Sequence, residues 1–314
     1  MNKDSKMRRM VLRRRFIPLL VAACFGAAQA TPTLPQVVNG EATFGQQGNV
    51  FTITNTQNAI INWQSFSVNA GEVTRFVQQS ADSAVLNRIV GQDPSRILGA
   101  LQSNGQVFLI NPNGIVFGRD ARIDVNGLTA STLGHSDADF LAGRKKFSAG
   151  AVAGNMSNQG SIATPEGGTV FLIAPNVENT GIITSPKGEV VLAAGHSVQL
   201  VDSSNPELRV VVSAPGGEAV NLGQVIAQGG KIGIYGALVR QRGTLNANSA
   251  VRGADGRIVL KASGDTVLEA GSVTSATGAG TGGQVSVLGQ RVALTGDARI
   301  ASAESGARSG EQLL

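Results

Sequence analysis

Glycine recurs in this chain at fixed intervals, each time inside the same short pattern. Asn158-Gln159-Gly160-Ser161-Ile162, Asn179-Thr180-Gly181-Ile182-Ile183, Asn221-Leu222-Gly223-Gln224-Val225 and Gln241-Arg242-Gly243-Thr244-Leu245 place their glycines 21, 42 and 20 residues apart. A second pattern runs in phase with it: Gly168-Thr169-Val170-Phe171-Leu172-Ile173, Gly188-Glu189-Val190-Val191-Leu192 and Gly230-Lys231-Ile232-Gly233-Ile234, at spacings of 20 and 42. A unit of about 20 residues cannot bury a core of its own, so such a period constrains the chain to a stack in which each unit covers its neighbours. The doubled interval predicts one further copy of each pattern, concealed near residues 202–212.

Each period contains short runs rich in Val, Ile and Leu, separated by Gly, Asn or Pro, and no helical period is sustained after the first 30 residues. Aromatic residues are scarce, with 11 Phe, one Trp and one Tyr against 41 Gly, which favours small stackable units over a bulky globular core. The expected fold is all-β: a right-handed, single-stranded parallel β-helix over most of residues 40–300. Val, Leu and Ile should face inward, with an N-terminal cap and extra-helical loops. Past residue 250 the spacing loosens to 27 between Gly256 and Gly283, across the glycine-rich corner Ala276 to Gly283. The last residues, Gly310-Glu311-Gln312-Leu313-Leu314, carry no polar cap, so residues 251–314 read as further repeats at the start of a longer, truncated stalk.

Residues 1–30 read as an export signal. Lys3, Lys6, Arg8, Arg9, Arg13, Arg14 and Arg15 precede a short apolar run, Phe16 to Gly26, and Ala28-Gln29-Ala30 offers a cleavage site that leaves Thr31 first. Val21-Ala22-Ala23-Cys24 would also pass as a lipidation box, and Arg8-Arg9 as a twin-arginine pair; general secretion with cleavage between Ala30 and Thr31 is the reading adopted. Of 26 basic and 21 acidic side chains, the signal holds 7 and 1, leaving 19 against 20. That near-neutral balance gives no support for nucleic-acid binding. The single cysteine, Cys24, lies in the signal, so no disulfide holds the remainder.

Gln106-Val107-Phe108-Leu109-Ile110-Asn111-Pro112-Asn113-Gly114-Ile115-Val116-Phe117-Gly118 sets a forceful corner between two apolar runs. Asn111 can bond the backbone ahead of it, Pro112 presets φ, and Asn113 and Gly114 suit the closing positions, with Asn113 expected at φ near or above zero. On the residues alone this is a coil corner. The sequence here resembles the N-terminal two-partner-secretion domain of filamentous-haemagglutinin-type exoproteins, the haemagglutination activity domain. The motif Asn111-Pro112-Asn113-Gly114-Ile115 carries the resemblance, together with Leu34 to Gly40, Ile60 to Phe66, Leu86 to Ile89, Asp93 to Gly99 and Gly127 to Leu133. The second motif of some members, NPNL, has only an echo at Asn205-Pro206-Glu207-Leu208.

The resemblance implies a secretion-directing domain over residues 31–250 of a large adhesin. The general secretion machinery would carry it to the periplasm of a Gram-negative-type cell. A cognate outer-membrane β-barrel transporter with POTRA domains would recognise it there and release it to the cell surface or medium. Asn111, Pro112, Asn113, Gly114 and Ile115 inherit the secretion role by position, and host-cell receptors or glycans are the targets implied for the full exoprotein.

The competing reading is a carbohydrate-active β-helix enzyme such as a polysaccharide lyase. It would require a groove of Asp and Arg at coil spacing, and none aligns. The only histidines, His135 and His196, lack metal-binding spacing, and no cofactor motif is present, so no catalytic, metal or cofactor residue is assigned. Asp137-Ala138-Asp139 offers oxygen ligands for calcium but reads as a solvated loop, as does the basic cluster Arg144-Lys145-Lys146. Trp63 and Tyr235 are conceivable sugar-stacking platforms, with Trp63 better explained as a cap over the end of the solenoid.

Overall fold

A computed structural model describes residues 32–201, 210–213, 217–250, 256–279, 282–302 and 311–313. The chain winds as a parallel β-helix, and each later coil contributes three strands to three ladders. One ladder is a separate eight-stranded sheet that includes Ser95–Ile97, Ile115–Phe117, Met156–Asn158, Val177–Asn179, Glu218–Asn221 and Leu238–Gln241. A second stacks the three-residue strands Ser161–Ala163, Ile182–Thr184, Gln224–Ile226 and Thr244–Asn246. The third stacks Thr169–Ala174, Glu189–Ala194, Lys231–Gly236 and Arg257–Ala262 in parallel register. Two longer strands, Ala100–Ile110 and Arg122–Ser131, run through both of these ladders in the earlier coils.

The Asn-x-Gly pattern now has a physical cause. Asn158 Nδ2 donates to Asn179 Oδ1 at 2.8 Å, Asn179 Nδ2 to Asn221 Oδ1 at 2.8 Å, and Asn221 Nδ2 to Gln241 Oε1 at 2.8 Å. All four side chains are fully buried. An amide both donates and accepts, so a column of amides satisfies itself along the stack while the repeat is maintained. The glycine two residues on is needed for close approach: a Cβ on Gly223 would stand 2.1 Å from the Gly181 carbonyl oxygen of the neighbouring coil.

The third ladder is buried on both faces. Val107, Leu109, Val170, Leu172, Val190 and Leu192 fill the solenoid interior. Their alternate neighbours Phe108, Ile110, Phe171, Ile173, Val191 and Ala193 join a second core outside it. The continuous apolar runs follow from this, because a strand covered on both sides has no polar face to present. The expectation that Val, Leu and Ile face inward therefore holds for one face of these strands and not the other. The cover is an extra-helical layer made of the helix Asp137–Leu141 and an antiparallel sheet of Lys145–Ser148, Ser197–Leu200 and Val210–Ser213.

This layer corrects the expected extra copy of the repeat. Ile182–Thr184 pairs directly with Gln224–Ile226, and Glu189–Ala194 with Lys231–Gly236, each across 42 residues of sequence. The intervening strands Ser197–Leu200 and Val210–Ser213 leave the solenoid and fold back antiparallel over it, where Val198 and Val210 are buried. Two loop assignments also change. Asp137-Ala138-Asp139 opens a five-residue helix capped by Ser136, whose hydroxyl accepts from the Asp139 amide, and Lys145-Lys146 lie in a strand. Residues 202–209 lie outside the described residues, and the Asn205-Pro206-Glu207-Leu208 echo with them.

The N-terminal end is closed by antiparallel pairing. Gln36–Asn39 pairs with Ala59–Trp63, and Ala42–Gln47 with Val50–Asn55, before the parallel stack begins. Trp63 is fully buried behind this cap, edge-on to Phe44, Phe51 and Phe66 at ring separations of 5.6, 6.3 and 5.5 Å. Its indole Nε1 donates to Asn87 Oδ1 at 2.9 Å. The ring therefore has no face open to a sugar.

Candidate functional site

The corner Asn111 to Ile115 leaves one strand of the doubly buried ladder and enters the eight-stranded sheet. Gly114 N donates to Asn111 O at 3.2 Å, closing the turn, and Asn113 N donates to Asn111 Oδ1 at 3.0 Å. The positive φ falls on Gly114, at +119°, and Asn113 is not among the residues with positive φ. The expected strain at Asn113 is thus relocated by one position, to the residue without a Cβ.

The asparagines reach backwards across the stack. Asn111 is fully buried, and its Nδ2 donates to Asp93 O at 2.9 Å and to Ser95 Oγ at 3.0 Å. Asn113 Nδ2 donates to Gly91 O at 2.9 Å and to Asn111 Oδ1 at 3.1 Å. Ser95 N donates to Gly114 O at 3.0 Å, tying the same two coils through backbone. The following coil closes the other side: Gly154 N donates to Pro112 O at 2.7 Å and Ile115 N to Asn155 O at 3.2 Å. Ile115 and Phe117 are fully buried in the solenoid core. The corner is a clasp across three successive coils. Of its partners, Asp93 and Ser95 belong to a stretch already conspicuous in the sequence, while Gly91, Gly154 and Asn155 carried no signal beyond lying about one or two coils away.

The remaining chemically notable residues serve the outer layer. His135 is buried at 4% exposure and stacks on Phe147 with ring centres 4.6 Å apart, beside Phe108 and Phe140. Its Nδ1 lies 2.9 Å from the Lys146 carbonyl, which can only accept, so Nδ1 carries the proton and Nε2 is left buried without a partner. His196 is exposed, and among the described residues no group of three His, Cys, Asp or Glu side chains is placed to hold a metal ion. Asp137 pairs with Arg88, and Asp139 with Arg144. Tyr235 is buried at 4% exposure in the outer core. The cleavage residues Ala30 and Thr31 and the alternative acceptor Cys24 lie outside the described residues.

His135 makes the outer layer sensitive to pH. Burial pushes its pKa below the usual 6.5, against the weaker opposing influence of the Lys146 carbonyl. In the unfolded chain the ring takes up a proton as pH falls through that value, while the folded ring resists, so the unfolded state binds more protons and stability drops. The thermal midpoint should fall on acidification from about pH 6.5 to about pH 5, and His135→Gln should flatten that decline. Parallel slopes for the two proteins in calorimetry would exclude His135 as the cause.

Comparison with known proteins gives three concordant results. A family model described as TPS secretion domain matches residues 28–298. The crystal structure of the HMW1 secretion domain from Haemophilus influenzae superposes with a TM-score of 0.81 and 37% sequence identity, over 90% of this chain and 76% of that one. Two curated Haemophilus influenzae proteins, each called heme/hemopexin-binding protein, are 39% identical over 111 residues and 36% identical over 120 residues. Those alignments span 35% and 36% of this chain but only 12% and 13% of the relatives.

Proposed function

We propose, on the premise that this chain belongs to the TPS secretion domain family, that the Asn111–Ile115 clasp is what makes the domain competent for export. Domains of this family direct the secretion of large exoproteins, are recognised by a cognate outer-membrane transporter, and lead the exoprotein to the cell surface or the medium. For this chain the reading extends further. Residues 1–30 act as a signal cleaved between Ala30 and Thr31, residues 31–250 act as the secretion domain, and residues 251–314 begin the stalk. POTRA domains of the transporter make the periplasmic contact, and host-cell receptors or glycans are left to the longer exoprotein.

The observation that carries the reading is the burial of Asn111. A residue at 0% exposure cannot touch a transporter from the folded domain, so Asn111 acts through the shape it imposes on the coil before it. Asn111→Ala should cost about 1–3 kcal/mol, for lost hydrogen bonds to buried groups, and Asn113→Ala less. Neither loss is expected to unfold a stack of many coils. Each variant, expressed with its cognate transporter, should accumulate in the periplasm and be depleted from the medium while the purified domain keeps its β-type circular dichroism. Wild-type levels of both variants in the medium would remove the export role and leave the clasp as scaffold.

No catalytic role is assigned under this reading. The family is a secretion domain and not a class of enzyme, and the carbohydrate-active alternative finds no support in any of the three comparisons. Heme or hemopexin binding is not carried over from the relatives, because the alignments reach so little of their length.

A further inference from the structure

The outer layer can lift from the solenoid without breaking a ladder. Beneath it Ile182–Thr184 pairs with Gln224–Ile226 and Glu189–Ala194 with Lys231–Gly236, so these coils keep their neighbours whether or not they are covered. The three strands of the layer form a sheet of their own. It is held down by an apolar joint, in which Phe108, Phe171 and Ile173 of the solenoid meet Phe140, Phe147 and Val198 of the cover. Arg88 adds a polar tie, donating to His135 O at 2.9 Å and pairing with Asp137. The joint is not sealed: a cavity of about 220 Å³ lies beside it, walled in part by Phe108, His135, Phe140 and Lys145.

His135 sits where the pieces meet. Its ring stacks on Phe108 of the solenoid at 5.8 Å and on Phe147 of the cover at 4.6 Å, with Phe140 of the helix edge-on at 6.3 Å. A neutral ring fits there, with Nδ1 donating to Lys146 O and Nε2 buried. A second proton would create an N–H with nothing among the described residues to accept it, and a charge among phenylalanines. The neighbouring charges offer little remedy. Asp137 and Asp139 of the helix are already paired with Arg88 and Arg144, and Arg144 and Lys145 add positive charge along the cavity.

We infer that the outer layer is an acid-released cover, which opens as a unit of its own and whose opening is promoted by protonation of His135. The inference does not depend on the export reading. Opening frees the ring to take its proton in water, so acid favours the open state over the closed one. Burial holds the pKa of the closed ring below 6.5, the value it regains on release. For a closed ring that stays neutral, the opening equilibrium rises by about thirtyfold between about pH 7.5 and about pH 5. Opening bares the outward face of the doubly buried ladder, with Phe108, Phe171 and Ile173 on it.

Native-state amide hydrogen exchange of the purified chain, at the same two pH values and corrected for the intrinsic rates, tests both halves of the inference. Amides of Lys145–Ser148 and Ser197–Leu200 should share one protection level, about tenfold or more below that of Thr169–Ala174 and Glu189–Ala194 at either pH. Acidification should lower the protection of the cover by about thirtyfold. Global unfolding releases the same ring, so the solenoid amides fall in proportion, and the standing gap between the two sets is what marks separate opening. His135→Phe keeps an aromatic ring in the stack, and His135→Gln keeps a donor for the Lys146 carbonyl. Each should preserve the gap and lose most of the acid-dependent drop. A common protection level for cover and solenoid would overturn the cover as a separate unit. An undiminished acid drop in either variant would overturn His135 as its trigger. A variant that fails to fold leaves the other to decide.

Discussion

Replacing Trp63 with alanine should lower the unfolding free energy by about 3–5 kcal/mol, the range for truncating a buried aromatic side chain. The indole is the largest side chain at the capped end and the only tryptophan in the sequence. Three phenylalanine rings, Phe44, Phe51 and Phe66, lean edge-on against it, and Phe44 and Phe51 come from the two antiparallel strands of the cap. Removal would also strand Asn87 Oδ1, which is fully buried and otherwise accepts from the indole. Trp63→Phe keeps an aromatic ring and loses the N–H together with part of the indole's bulk. Its cost should be nearer about 1–3 kcal/mol. Urea titration followed by circular dichroism is the appropriate measurement, because the tryptophan signal disappears with the residue. A midpoint that drops at constant slope would mean that cap and stack still unfold together. A separate early transition would mean that the cap opens alone, exposing the parallel strands beneath it to edge pairing.

What the sequence disclosed and what it hid have the same origin. The period was readable because glycine and asparagine must recur where coils touch, as at Gly181 and Gly223 or Asn179 and Asn221. The extra-helical hairpin was hidden because it occupies one whole period. Val198, Val210 and Val212 have the composition and alternation of any coil strand, and neither reveals whether a strand pairs parallel within the stack or antiparallel outside it. The helix Asp137–Leu141 spans too few residues to show a period, and its Ser136 cap was the one local sign. At the corner the turn chemistry was legible in Asn111 to Gly114. Its partners were not, although they lie about one coil earlier: Gly91 is 22 residues before Asn113 and Asp93 is 18 before Asn111. In a solenoid, subtracting one period from a motif points to the residues it touches.

The amide column offers the sharpest test of what holds the stack together. Asn179→Leu keeps the number and branching of the side-chain heavy atoms but breaks the column at its centre. Asn158 Nδ2 would keep only a long contact to Gly160 O at 3.4 Å, and Asn221 Oδ1 would lose its donor. Two buried groups left unmatched in a dry interior should cost about 1–3 kcal/mol each, hence about 2–6 kcal/mol for one substitution. Replacing Asn158, Asn179, Asn221 and Gln241 together by leucine removes both partners of every pair in the column. Its new orphans are confined to the backbone at the ends, such as Gly160 N, which donates to Asn158 Oδ1 at 3.2 Å. The four-fold variant should therefore lose far less than four times the single loss, because paired removal of buried polar groups is often close to neutral. Chemical denaturation of the two variants side by side decides it. Strict additivity would show that each amide acts on its own corner, and that the column is a consequence of the repeat and not one of its causes.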